Sequence, residues 1–130
     1  MANIQFFHQK DERLSLFKQQ FTAAYTPLSI TKESLGLLIA NPDVPIFVNI
    51  GVAYCHPKDQ FVKKIGRDIA TVNMKMIEFK LNNIDMHDTK MYNIAMYSLD
   101  GQFNIRFRLY KDSNKTRVVQ IINYNNRRNR

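Results

Sequence analysis

Apolar residues recur along the first part of this chain with helical spacing and along the last part with a period of two. From Asp11 to Tyr25, Leu14, Phe17, Phe21 and Ala24 follow one another at spacings of 3, 4 and 3, with Lys18, Gln19 and Gln20 on the other side. That spacing predicts a helix, capped by Asp11 and ended before Pro27, because the residue preceding a proline is pushed out of helical backbone angles. Ser29 to Asn41 reads as a short helix or a strand, with a helix starting near Thr31 favoured by Glu33 and Ser34 in its first turn. Val44 to Tyr54 (VPIFVNIGVAY) is almost continuously apolar and β-branched, which predicts a strand buried on both faces, its proline confined to the start.

Pro57 and Asp59 then make a helix entrance, predicting a helix from Pro57 to about Asn73. On a helical wheel Phe61, Ile65, Ile69, Val72 and Met76 share one third of the circumference, the side expected to face the core. Lys63 and Arg67 fall opposite, flanked by Lys64 and Lys75. Gly66 lies inside this helix at a cost of roughly 1 kcal/mol relative to Ala. It reads equally as a close backbone approach to a strand or ligand and as simple tolerance.

After Met76 the alternation is strict. Ile77, Phe79 and Leu81, then Tyr92, Ile94 and Met96, then Phe103, Ile105, Phe107 and Leu109 alternate with polar or smaller residues, and Thr116 to Tyr124 continues the pattern. Asp100-Gly101 and the run Asp112, Ser113, Asn114 are turn signals between them. The expectation is an α+β fold: an antiparallel meander of four to five strands packed with two to three helices. It forms a single domain over residues 1–124, with a basic tail at 125–130.

A length of 130 residues suits one domain. The lone Cys55 cannot form an intramolecular disulfide and fits a reducing compartment. Met1 to Lys10 lacks the uninterrupted apolar stretch of a signal peptide, and no run of about 18 apolar residues exists to span a bilayer. A cytoplasmic protein without a membrane partner is expected. Charge adds more: the net value is +8, and setting aside Arg127, Arg128 and Arg130 still leaves +5 on the body. Such an excess raises the local concentration of polyanions.

Catalytic patterns are missing. Cys55 and His56 are adjacent, so on a strand they point to opposite faces, and no third residue orients them. His8, His56 and His87 lie far apart, and Asp85, His87 and Asp88 read as a polar loop, so no metal or other cofactor is expected. No phosphate-binding glycine loop, nucleophile elbow or zinc-protease helix occurs. The chain is therefore expected to bind rather than to catalyse.

Two basic surfaces are candidates, and for each the plain alternative is a solvated polar face. One is the helix surface of Lys63, Lys64 and Arg67, preceded by Lys58 at the helix N-terminus. The other is the outward face of the strand that alternates Asn104, Arg106, Arg108 and Tyr110, joined across a hairpin by Arg117. Arginine holds phosphate through two parallel hydrogen bonds, and tyrosine beside it offers a base a stacking surface. The leading expectation is a non-enzymatic binder of a phosphate-bearing nucleotide. Arg106, Arg108 and Arg117 would pair with phosphate, Tyr110 or Phe79 would stack on a base, and Lys63 and Arg67 would contribute from the helix or a second subunit. The alternatives are a DNA- or RNA-binding protein and a protein-binding inhibitor of a host or defence enzyme. Ile121 and Ile122 on the last strand present a pairable edge, so a homo-oligomer is expected to cover it.

The stretch Gly51 to Ala70, GVAYCHPKDQFVKKIGRDIA, resembles a signature of small proteins of tailed phages. The match runs through Cys55, Pro57, Asp59, Phe61, Lys63, Lys64, Gly66, Arg67 and Ala70, about a sixth of the chain. Where many relatives carry a further Gly-Arg, this chain has Thr71, Val72 and Asn73. The resemblance implies a phage protein acting in the host cytoplasm. By likeness to the Thoeris anti-defence sponges, it also implies a counter-defence role in which a cyclic nucleotide signal is sequestered without being degraded.

Overall fold

In the computed structural model, residues 3–10, 20–54, 63–86 and 90–123 are described. Among them are seven strands and two helices: β1 (Gln5–Lys10), β2 (Gln20–Tyr25), α1 (Lys32–Ala40), β3 (Ile46–Tyr54), α2 (Lys63–Val72), β4 (Lys75–Met86), β5 (Met91–Ser98), β6 (Phe103–Tyr110) and β7 (Thr116–Asn123). This corrects the expected α+β meander of four to five strands with two to three helices. The described residues are mostly strand, and the helix expected over Asp11–Tyr25 gives way to β2 over its last six residues. The cause lies in β2 itself. Phe21, Thr22, Ala23, Ala24 and Tyr25 are all buried, so the strand is covered on both faces and shows no alternation. Phe21 and Ala24 therefore only mimic a helical spacing.

The chain divides into two compact units. One holds β1, β2, α2 and β3 from Val48 onward. Here β2 is the centre of an antiparallel triplet, with His8 opposite Thr22 on one side and Ala24 opposite Gly51 on the other. Phe21 and Tyr54 stack tilted, their ring centroids 5.5 Å apart. On the face formed by Thr22, Ala24, Gly51 and Ala53 every side chain is small, and α2 settles close to it. A methyl group at Gly51 would overlap the Ala70 carbonyl oxygen and lie 2.5 Å from the Met74 nitrogen, and one at Gly66 would lie 2.7 Å from Thr22 Oγ1. Gly66 is thus a close approach to a strand. The Asn73 side-chain amide ties the end of the helix down by donating to the Val52 carbonyl at 3.0 Å.

This docking reverses the expected orientation of α2. Ile65, Ile69 and Val72 on α2, and Met76 just beyond it, are exposed, Val72 at 83%, while Ala70 is fully buried against Ala24 and Ala53. Large side chains cannot enter a contact this tight, so glycine and alanine face the sheet and the branched residues face out. Phe61, Cys55, His56, Pro57, Lys58 and Asp59 lie outside the described residues, as do His87, Asp88 and residues 124–130.

The other unit holds α1 and β4 from Ile77 through β7. Its strands form an antiparallel meander in chain order. Phe79, Ile94, Met96, Phe103, Ile105, Phe107, Leu109 and Ile121 are its innermost side chains, with Phe79 and Phe103 rings 6.4 Å apart. The turn after β5 is locked from within: buried Ser98 accepts at its hydroxyl from the Phe103 amide at 2.8 Å, and Gly101 takes a φ of 78°. Helix α1 starts at Thr31, whose hydroxyl accepts from the Ser34 amide at 3.1 Å while the Ser34 hydroxyl accepts from the Thr31 amide at 2.8 Å. It buries Leu35 and Leu38. Neither helix, among the described residues, is long and apolar enough to cross a membrane.

Two glycines should respond oppositely to alanine. Gly51→Ala is expected to lower unfolding free energy by about 3 kcal/mol through overpacking. Gly36→Ala, at an exposed α1 position with no atom within 4 Å of the added methyl, should raise it by up to about 1 kcal/mol. Denaturant melts of both variants check the pair.

His8 supplies a pH dependence. Its Nδ1 shares a 2.8 Å hydrogen bond with buried Thr22 Oγ1. Burial, then the charges of Lys63 and Arg67, hold its pKa below the usual 6.5. The unfolded chain therefore takes up this proton first as pH falls, so stability present above 6.5 is lost as pH drops through the folded-state value. The melting temperature should fall as the pH is lowered below 6.5, and His8→Gln should remove this component of the fall.

Candidate functional site

The alternation of β6 decides which groups meet on the outward face of the meander. Phe103, Ile105, Phe107 and Leu109 are buried, so Asn104, Arg106, Arg108 and Tyr110 point the other way. Register then assembles the rows across the strands. Asp85 lies opposite Asn93, Asn93 opposite Arg108, and Arg108 opposite Arg117. In the next row Asn83 faces Ala95, Ala95 faces Arg106, and Arg106 faces Gln120.

Both flanking strands are bulged at this level. The β4–β5 pairing skips Asn82 and the β6–β7 pairing skips Val119, each beside the Ala95–Arg106 pair. A bulge bends its strand and increases the local twist. With the short Ala95 between them, the two bulges frame a cleft of about 320 Å³ whose polar walls are Asn82, Asn83, Asp85 and Asn93 on one side and Arg106 and Arg108 on the other.

Arg108 is half-buried there, and its Nε is shielded from solvent with no hydrogen-bond partner among the described residues. Leaving such a donor unsatisfied costs about 1–3 kcal/mol, more for a charged group. Among the described residues neither Arg106, Arg108 nor Arg117 forms an ion pair. Arg108 and Arg117 moreover sit directly opposite each other, a like-charge placement that destabilises a strand pair. The outward face thus concentrates cationic groups that form no ion pair among the described residues.

The residues expected from sequence divide between different places. Arg106 and Arg108 line the cleft, Arg117 adjoins it on β7, and half-buried Tyr110 is the next outward position on β6 beyond Arg108. Phe79 does not belong with them: it is fully buried in the core, so no base can stack on it. Lys63 and Arg67 belong to the other unit. There Lys63 is exposed, and Arg67 lies over the Phe6 ring at 5.8 Å. Their neighbour Lys64 pairs with Asp68 at 3.0 Å. Asp85 is a β4 residue rather than a loop residue, and its Oδ2 accepts from the Asn83 side-chain amide at 3.1 Å.

Asn82, Asn83, Asn93, Ala95 and Val119 were not expected at the site, and Asp85 was expected only as part of a polar loop, yet a signal for them exists. The apolar alternation of β4 changes phase between Leu81 and Ile84, and that of β7 between Val118 and Ile121; each slip marks a bulge. No group of three His, Cys, Asp or Glu side chains that could hold a metal ion occurs among the described residues. No known protein-family model, curated protein or solved structure matches the chain, so a functional reading rests on the chemistry of this cleft.

Proposed function

We propose that the protein binds a phosphate-bearing nucleotide, without reacting with it, in the cleft between the β4 and β7 bulges. The observation that carries this reading is the shielded, unpartnered Nε of Arg108 beside Arg106. A phosphate oxygen is the acceptor that suits it, because a planar guanidinium pairs with phosphate through charge-assisted hydrogen bonds. The cleft, at about 320 Å³, lies at the small end of ligand sites and matches one nucleotide unit, with any further phosphate reaching Arg117. Among the described residues its lining holds one carboxylate and no Ser, Thr, Cys, His or Lys, which supports binding over catalysis. The basic face of α2 is the weaker candidate, since Lys64 and Arg67 are engaged within their own unit. The resemblance of residues 51–70 to tailed-phage proteins gives such binding a use, the sequestration of a nucleotide signal in host defence.

Calorimetry with nucleoside monophosphates, cyclic di- and trinucleotides and cyclic ADP-ribose isomers tests the reading. At least one should bind and be recovered unchanged. Arg106→Gln and Arg108→Gln should each weaken it about 10- to 100-fold, the worth of a hydrogen bond to a charged group. Lys63→Gln with Arg67→Gln should leave the affinity within about twofold. Absence of heat with every nucleotide, or a DNA or RNA strand that outcompetes all of them, would overturn it.

A further inference from the structure

We infer that Asp85 is the specificity-determining residue of this cleft and that it selects ribonucleotides, whose sugar hydroxyls donate to its carboxylate, over bare phosphate and deoxyribonucleotides. The inference rests on the nucleotide reading above and deepens it.

The two walls of the cleft have opposite hydrogen-bonding character. Arg106 and Arg108 on β6 only donate, so they take the acceptor oxygens of a phosphate. Across the cleft, on β4, the Asp85 carboxylate only accepts. It is separated from Arg108 by the whole of β5, two strand spacings or about 10 Å, and forms no ion pair with either arginine. The carboxylate is instead steadied by the Asn83 side-chain amide, which occupies Oδ2 and leaves Oδ1 for another donor. The amides of Asn82, Asn83 and Asn93 both donate and accept, and so tolerate either partner.

A carboxylate in the wall of an anion site repels any ligand that is anionic throughout. It becomes favourable only when the ligand brings an O–H or N–H to it. A ribonucleotide carries both functions on one small frame, with the phosphate at one end of the ribose and vicinal hydroxyls at the other. Inorganic phosphate has no such second end, and a 2′-deoxynucleotide has lost half of the diol. The bulge at Asn82 is what brings this side of β4 to the cleft: past it the outward positions are Asn83 and Asp85, whereas continued alternation from Leu81 would have turned Asn82 and Ile84 outward.

The test measures binding of the four ribonucleoside 5′-monophosphates, their 2′-deoxy counterparts and inorganic phosphate to the full chain, its Asp85→Asn variant and its Arg108→Gln variant. Thermal melts confirm that each is folded. The wild type should prefer the best ribonucleotide over its deoxy counterpart by about tenfold. Asp85→Asn should bring that ratio within about twofold and tighten inorganic phosphate several-fold, because the repulsion is gone while the shape is kept. A ratio unmoved by Asp85→Asn, or phosphate binding that does not improve, overturns the role of Asp85 while the Arg108 dependence stands. Loss of the nucleotide reading itself looks different: no ligand binds the wild type, or Arg108→Gln changes no affinity.

Discussion

Burial of Phe103, Ile105, Phe107 and Leu109 along one face of β6 governs where every group around the cleft can stand. Each of these side chains contributes about 1.5–3 kcal/mol by leaving water. Because successive residues of a strand point to opposite faces, the same pleat obliges Arg106 and Arg108 to face outward. A slip of one residue would expose four large apolar groups and bury two guanidinium ions, each at a cost of several kcal/mol. Core and charge therefore enforce one register, and through it Asn93, Ala95 and Arg117 are placed as well.

Regular pairing alone would give a flat row of polar side chains. The extra residues Asn82 and Val119, inserted on the two strands flanking the β5–β6 pair, convert that row into a concavity. Ala95 deepens it by presenting only a methyl group between them. A cationic site made this way needs no loop and no helix terminus. Its arginines stand on a rigid support, and the strain of holding Arg108 opposite Arg117 is offset by the core on the other face.

Much of the second unit was legible in the sequence. Period-two alternation located the four strands from β4 to β7, Asp100-Gly101 marked their turn, and Thr31 with Ser34 marked the start of α1. The first unit was misread for two physical reasons. β2 is covered on both sides, which erases alternation and left Phe21 and Ala24 looking helical. α2 approaches so closely that only glycine and alanine fit beneath it, which turns its most apolar stripe outward. A wheel ranks faces by hydrophobicity, whereas this contact is selected by size. At the site, alternation identified Arg106 and Arg108; the same alternation put Phe79 on the apolar side with Ile77 and Leu81, so its assignment to base stacking ran against the pattern that its burial obeys. Asp85 was hidden by the phase slip at Asn82.

The way α2 is held has a consequence for how the chain can change over evolutionary time. Among the described residues its attachment uses Gly51, Gly66, Ala70, the Asn73 amide and the placement of Arg67 over Phe6, while the branched side chains turn to its outer surface. Natural variation should therefore be severely restricted at those small residues and less constrained by folding at Ile65, Ile69 and above all Val72. Persistence of apolar character at these three positions in diverged descendants would then record selection acting on the helix's outer surface, independent of the fold that carries it.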